Sequence, residues 1–191
     1  MVCVESSINQ LFLNQADSFD VKYYLMYFYY GGIIYCTLRD FDRAFYFFQS
    51  AISTSGSAIS EIVVEAYKKY ILVSLLVYGK QQPMPKQNQT YLNRCIRPLT
   101  APYYELAAAY MNDSVEEMQK SFNKHQAVFG NDTNIGLVKQ VMASLVKVKI
   151  QKLTKTFMTL SLADMANKVQ IGSVQEAEKI ILQMVRQTIN I

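Results

Sequence analysis

Apolar residues recur at helical spacing along most of the chain, and only a few short runs alternate as a strand would. The first clear pattern is a pair of helices separated by Asp40, a residue suited to an N-cap. Large and small residues follow the order typical of a tetratricopeptide-like hairpin, at Tyr27, Tyr30, Gly31, Ile34, Ala44, Phe48 and Ala51. The pattern predicts that these residues lie between helices, with the tyrosine rings as core aromatics and their hydroxyls at the rim.

Further helices are predicted from apolar periodicity, caps and breakers. They run from Ser57 to Tyr78 before Gly79, from Tyr91 to Arg97 before Pro98, from Pro102 through Tyr110, from the Ser114–Glu117 capping box to Gly130, and from Ile135 to Lys155. The first half of the Ser57–Tyr78 helix has a solvated face with Glu61, Glu65, Lys68 and Lys69, whereas its second half is apolar all round and is expected to be covered. Pro83 and Pro85 indicate a surface loop.

The pattern changes near the end of the chain. Residues 156–161, TFMTLS, are β-branched and aromatic and predict a strand. Two capping boxes follow, Ser161 with Asp164 and Ser173 with Glu176, each before an apolar helical face. A strand and two short helices after the long helix indicate a winged helix. The predicted fold is therefore mainly α, with helical repeats over 1–133 and the winged-helix part over 134–191.

The composition of the chain indicates which classes of protein fit the sequence. The chain has 191 residues, of which 51% are hydrophobic, enough for a sizeable core. The apolar run from Tyr23 to Leu38 contains six tyrosines and is shorter than a membrane span, which needs about twenty apolar residues. The residues before this run lack the positively charged start of a secretory signal peptide, so we expect an intracellular protein. The cysteines at 3, 36 and 95 form no CxxC pair, which favours free buried thiols.

No pattern for catalysis is found. The sequence has no P-loop, Rossmann, HExxH, GxSxG or kinase signature. Its single histidine, His125, lies on an apolar stripe. The simplest interpretation is a packed side chain that is hydrogen-bonded to a backbone group. We predict no catalytic, cofactor-binding or metal-binding residues. Lys139, Lys147, Lys149, Lys152 and Lys155 form one basic stripe. The second helix of the winged part carries Glu176, Glu178 and Lys179, a net negative charge that argues against reading duplex DNA.

Several segments resemble a known family. EAYKKYILVSLL at 65–76, NIGLVKQ at 134–140, LTKTFMTLSLADM at 153–165 and QEAEK at 175–179 are similar to the subunit 3 family of the COP9 signalosome, as is YYGGIIY at 29–35. The resemblance covers most of the chain from Tyr23 to Val185. It implies a PCI domain, in which helical repeats are capped by a winged helix, and a non-catalytic subunit found in nucleus and cytoplasm. In that complex a different subunit removes the ubiquitin-like protein NEDD8 from cullins.

The resemblance also implies partners. Family members assemble through their winged helices and helical arms, so other signalosome subunits are the expected partners, without a small-molecule substrate, nucleic acid or a membrane. The predicted contact residues are Phe157, Met158, Thr159, Leu160, Gln183, Arg186, Ile189 and Ile191. Family members are longer, and their two-stranded wing is missing here or reduced to one candidate strand at Thr188–Ile191, so we expect a fragment, splice form or partial gene product.

The alternatives are other PCI proteins. A subunit of the proteasome lid or of a translation initiation factor would share the same fold. A nucleic-acid-binding PCI protein of mRNA export would use the basic stripe.

Overall fold

The computed structural model describes residues 21–53, 60–83, 89–157, 159–170 and 174–189. Every regular element among these residues is an α-helix, which confirms the predicted mainly α fold. In chain order they are α1 (Val21–Thr37), α2 (Phe41–Ser53), α3 (Glu61–Tyr78), α4 (Gln89–Leu99), α5 (Ala101–Met111), α6 (Val115–Asn131), α7 (Ile135–Thr156), α8 (Leu162–Val169) and α9 (Val174–Ile189).

The chain divides into two compact units. The first comprises residues 1–70 and 84–99, and the second comprises residues 71–83 and 100–191. Helix α3 therefore contributes its first part to one unit and its last turns to the other. The domain boundary at 133/134 that the sequence suggests stays a prediction.

In the first unit, α1 and α2 form a closely packed pair because two glycines of α1 meet two phenylalanines of α2. A Cβ atom at Gly31 would lie 2.5 Å from Cδ1 of Phe47, and one at Gly32 would lie 2.6 Å from Cε1 of Phe48. Both distances are shorter than Cβ atoms tolerate, so only glycine permits this approach. Ala44, Phe48 and Ala51 are fully buried on α2, as the hairpin pattern predicts.

Three of the helix connections have the same backbone structure. Each is three residues long: 38–40 between α1 and α2, 112–114 between α5 and α6, and 132–134 between α6 and α7. In each, the third residue donates its N–H to the carbonyl five positions earlier, at distances of 3.0, 3.4 and 2.9 Å for Asp40, Ser114 and Asn134. This is the Schellman motif, which satisfies carbonyls at a helix end and reverses the chain.

The middle residue of each connection is left-handed although it is not glycine. The φ angles are 61° at Arg39, 54° at Asp113 and 56° at Thr133. Asp40 and Ser114 act as predicted N-caps, since Asp40 Oδ1 accepts from the N–H of Arg43 at 3.3 Å and Ser114 Oγ accepts from that of Glu117 at 3.2 Å. The missing glycine signal is the reason that these helix ends are hard to place from sequence.

In the second unit, a buried hydrogen-bonded network ties α5 to the connection after α6. The hydroxyl of Tyr103, a fully buried side chain, donates to Oδ2 of Asp132 at 2.7 Å and accepts from Nδ2 of Asn134 at 2.8 Å. Asn134 stands at the N-cap position of α7, yet its side chain makes no capping bond there. Its amide is used to hold Tyr103 instead.

The last three helices share a small core. Ile150 of α7 packs with Met165 and Val169 of α8, and half-buried apolar residues of α9 close over them, namely Ile180, Ile181 and Met184. Ser161 forms the N-cap of the predicted capping box, because its Oγ accepts from the N–H of Asp164 at 3.1 Å. The Ser173–Glu176 box lies outside the described side chains.

The predicted strand at 156–161 is wrong for the residues described. Thr156 is the last residue of α7, and Phe157 is extended with φ −118° and ψ 125° but belongs to no ladder. Met158 lies outside the described residues. A β-branched run has strand propensity, yet a strand needs a partner with which to pair. The candidate strand at Thr188–Ile191 is also contradicted where it is described, since α9 continues to Ile189.

Two predicted helix ends are also wrong. α4 includes Pro98 and ends one residue later at Leu99, so the proline stands in the last turn and the helix does not continue past it. α6 passes Gly130 and ends at Asn131, because the left-handed residue is Thr133.

Replacing Thr133 with glycine should raise the free energy of unfolding by about 1 kcal/mol, because a β-branched residue is strained at φ 56° and glycine is not. Urea unfolding followed by circular dichroism measures this change. Thr154→Gly, in the last turn of α7, is the control and should lower stability, by at most roughly 0.5 kcal/mol. A destabilised Thr133→Gly chain would show that the left-handed turn is not strained.

Candidate interaction surfaces

Helix α1 carries an exposed apolar stripe on one side. Its members lie four, three, four and four residues apart, so they share one face of the helix and continue into the turn after it. The aromatic stripe, as we call it, consists of Tyr23 (66% exposed), Tyr27 (56%), Tyr30 (54%), Ile34 (57%) and Leu38 (68%). Isolated exposed apolar residues are ordinary, whereas five on one face of a helix make a candidate contact surface.

The stripe corrects one prediction made from the sequence. Tyr27, Tyr30 and Ile34 were expected between helices, whereas Leu25, Phe28 and Gly32 are the buried residues of α1. The reason is that α1 is apolar on every side, so periodicity alone does not determine which face turns inward. The close approach of Gly31 and Gly32 to α2 turns this side of α1 inward. The stripe residues beside it stay more than half exposed, although the Tyr27 ring still lies 5.9 Å from the Phe47 ring of α2.

Charged side chains on α3 are also placed differently from the prediction. Lys68 and Lys69 are buried, although a solvated face was expected. Glu65 accepts from both, at 2.6 Å from Lys68 Nζ and 3.4 Å from Lys69 Nζ. Lys69 Nζ also lies 5.2 Å from the centre of the Tyr29 ring. A carboxylate and an aromatic face replace the water that these ammonium groups lose on burial.

The thiol nearest to these lysines is not activated. Burial raises the pKa of Cys36 to about 11, an effect that Lys69 only partly opposes. A thiol with this pKa is protonated at neutral pH and is a poor nucleophile. Cys36 and Cys95 are both free and half-buried, and Cys3 lies outside the described residues.

His125 packs as a structural side chain but with a different partner from the one expected. Its Nε2 lies 2.8 Å from Oε2 of Glu105, which is a carboxylate rather than a backbone group. The ring also meets Phe129 edge-on, with centroids 6.3 Å apart. Lys124 donates to the same Glu105 oxygen at 2.9 Å. The hydrogen bond from His125 and then that from Lys124 lower the pKa of Glu105 below its usual 4.5.

The basic stripe of α7 is partly neutralised within the chain. Lys152 Nζ lies 2.6 Å from Oδ2 of Asp113, in the connection before α6. Lys147 and Lys149 are half-buried. The stripe is thus less positive than its sequence suggests, which reduces its attraction for phosphates.

The predicted contact residues near the C-terminus are only partly described. Phe157 is 39% exposed and is covered on one face by Lys168, whose Nζ lies 3.7 Å from the ring centre. Thr159, Gln183 and Arg186 are exposed and Leu160 is half-buried. Met158, Ile191 and the side chain of Ile189 lie outside the description. Whether these residues form one contact surface stays a prediction.

No helix in the described part of the chain is long and apolar enough to cross a membrane. Among the same residues, no group of three or more His, Cys, Asp or Glu side chains is arranged to hold a metal ion.

Comparison with known proteins matches both ends of the chain. The family model described as COP9 signalosome complex subunit 3, N-terminal helical repeats, matches residues 1–91. The PCI domain model matches residues 115–189, from the first residue of α6 to the last of α9. Helical repeats followed by this domain define a PCI protein.

Curated relatives make the assignment more specific. The chain is 47% identical over 167 residues to COP9 signalosome complex subunit 3 of Drosophila melanogaster, an alignment that covers 87% of this chain and 37% of the fly protein. It is 39% identical over 164 residues to the protein of the same name from Arabidopsis thaliana, covering 85% of this chain and 38% of the plant protein. The chain belongs to the COP9 signalosome subunit 3 family. It spans less than two fifths of the length of these relatives.

Glu105→Gln should destabilise the protein at neutral pH and lose this effect in acid. Because the folded-state pKa of Glu105 is lowered, its contribution is fully present above pH 4.5 and disappears as the pH falls through the folded-state value. Unfolding curves of parent and variant between neutral pH and about pH 3 should therefore converge toward the acid end. Glu178→Gln, an exposed carboxylate on α9, should follow the parent throughout. A gap of constant size over the whole range would contradict the role given to Glu105.

Proposed function

We propose that the chain is a non-catalytic PCI scaffold subunit of the COP9 signalosome, acting through protein–protein assembly. The single observation that carries the proposal is the aromatic stripe of α1, an exposed row of five large apolar side chains on a chain related to subunit 3 of that complex. Buried aromatic side chains are the usual anchors of protein interfaces. A face of this kind is suited to receiving a neighbouring helix.

The signalosome context gives the proposed biological role. The complex removes NEDD8 from cullin-RING ubiquitin ligases through a different subunit, and this chain contributes contacts that hold neighbouring subunits together. We place it in nucleus and cytoplasm with the rest of the complex. The names of the curated relatives favour this assembly over the proteasome lid, an initiation factor or mRNA export.

A second contact is proposed at the C-terminal part of the PCI domain, through a winged-helix-like arrangement of α7, α8 and α9. Phe157, Thr159 and Leu160 lie between α7 and α8, while Gln183 and Arg186 are exposed on α9. The extended backbone at Phe157 is compatible with pairing to a strand supplied by another PCI domain.

The first test asks whether the aromatic stripe holds neighbouring subunits. The tagged 191-residue chain is expressed in cells, and the signalosome subunits that co-purify are quantified by mass spectrometry. Changing Tyr27, Tyr30 and Ile34 to glutamate should reduce their recovery by about tenfold, because three carboxylates cannot be buried against an apolar helix. Tyr46→Glu, at an exposed tyrosine of α2, is the control and should leave recovery unchanged.

Two results of this test would count against the proposal. A parent chain that is folded by circular dichroism but recovers no signalosome subunit would refute the scaffold role. Equal recovery by the triple variant and by the control would assign the contact to another surface.

The second test concerns Phe157. Phe157→Glu should lower the recovery of signalosome subunits by about tenfold, because a carboxylate replaces the ring in the proposed contact. Val128→Glu, on α6 of the same unit, is a matched control because Val128 is 37% exposed and Phe157 is 39% exposed. If both variants bind as the parent does, the winged-helix contact is wrong.

A further inference from the structure

The first unit buries two charged side chains while it leaves five large apolar ones outside. Lys68 and Lys69 of α3 are 9% and 8% exposed, whereas every member of the aromatic stripe is more than half exposed. Burial of apolar surface is the main favourable term in folding, and burial of a charge is costly unless the charge is paired. Hydrophobicity alone would favour the reverse, with the stripe packed inward. Another interaction therefore sets the orientation of α1.

The contact between α1 and α2 does not set this orientation by itself. Gly31 and Gly32 fix how α1 approaches α2, because a Cβ atom at these positions would lie 2.5 or 2.6 Å from a phenylalanine ring of α2. The pair as a whole could still present either of its sides to α3. α1 has no charged residue between Lys22 and Arg39, so its own pattern does not choose the side.

Two contacts join the pair to α3. Lys69 Nζ lies 5.2 Å from the centre of the Tyr29 ring on α1. Phe45 of α2 stacks on Tyr70 of α3, with ring centroids 4.8 Å apart. Tyr29 comes one residue before Tyr30 of the stripe, so their side chains leave the helix about 100° apart. The side of α1 that meets Lys69 is therefore not the side that carries the stripe.

The buried ammonium group of Lys69 depends on the ring of Tyr29. Glu65 lies 2.6 Å from Lys68 Nζ but 3.4 Å from Lys69 Nζ, so one carboxylate is shared between two ammonium groups and its shorter bond goes to Lys68. The negative face of the Tyr29 ring supplies further stabilisation to the buried charge of Lys69. Turning the stripe toward α3 would carry Tyr29 away and leave this ammonium group with the longer half of a shared ion pair.

We propose that Lys69 is a positioning residue, which acts through Tyr29 to hold the α1–α2 pair on α3 with the aromatic stripe outside. It selects between two packings rather than adding net stability, a role for which buried ionic groups are retained in some proteins. An apolar residue at position 69 would remove the penalty on the flipped packing, in which the stripe covers α3. The inference rests on the proposed function only for the use of the exposed stripe, and its test needs no partner.

Hydroxyl-radical footprinting with mass spectrometry measures the orientation. Tyr30 is 54% exposed and Tyr78, in the second unit, is 48% exposed, so both rings of the parent should be oxidised at similar rates. Lys69→Met should slow the oxidation of Tyr30 relative to Tyr78 by about threefold, as the flipped packing becomes the major one. Its urea midpoint should equal or exceed that of the parent, because apolar replacement of a buried ion pair is often neutral or stabilising.

Three further variants separate the cation and the ring from a general effect of substitution. Lys69→Arg keeps a cation that can lie over the ring and should keep the parent ratio of rates. Tyr29→Leu removes the ring and should slow the oxidation of Tyr30 by about twofold or more. Lys120→Met, at an exposed lysine of α6, is the control and should leave the ratio unchanged.

The proposal is overturned if folded Lys69→Met or folded Tyr29→Leu shows the parent ratio, or if Lys69→Arg slows Tyr30 as much as Lys69→Met does. A Lys69→Met chain that is unfolded by circular dichroism would also overturn it, since Lys69 would then determine stability rather than orientation. Co-purification reports separately on the proposed function. A Lys69→Met chain with a slowed Tyr30 and undiminished recovery of signalosome subunits would keep the positioning role and assign the assembly contact to another surface.

Discussion

The three-residue connection between helices is the constraint from which much of the arrangement follows. A connection of this length makes consecutive helices antiparallel neighbours, as it does for α1 with α2 and for α5, α6 and α7 in turn. The hydrogen bonds that reverse the chain at the left-handed residue join backbone groups, so the reversal does not require a particular side chain at that position. Arg39, Asp113 and Thr133 all serve there, and none of them is the glycine that usually marks such an end.

Each helix in such a series packs against the helix joined to it. Which helices pair therefore determines which helix faces stay uncovered. Gly31 and Gly32 turn one side of α1 toward α2, and the aromatic stripe lies beside this contact, each member more than half exposed. In the second unit the same arrangement of neighbours gives Tyr103 a buried position beside Asp132 and Asn134, where its hydroxyl finds both an acceptor and a donor. One type of connection therefore produces both an internal polar network and an external apolar row.

The sequence predicts features that depend on local chemistry better than features that depend on distant partners. The N-caps at Asp40, Ser114 and Ser161 are formed within four residues, so the residue types alone identify them. The strand at 156–161 fails because its stability requires a second strand that local sequence does not supply. The burial of Lys69 could not be read from i,i+4 spacing, since its ammonium group lies over the ring of Tyr29 on another helix.

The composition of the aromatic stripe fits a surface that is exposed before it is covered. Three of its five members are tyrosines, whose hydroxyls keep water contact while the ring offers a broad apolar face. Leucine or phenylalanine at Tyr23, Tyr27 and Tyr30 would contribute similar contact area but would make the free chain more prone to self-association. Tyrosine also has few rotatable bonds, so little conformational entropy is lost when a partner helix covers it. In the proposed contact the tyrosines supply apolar rings with hydroxyls at the rim, and the two aliphatic members, Ile34 and Leu38, extend the apolar row at one end.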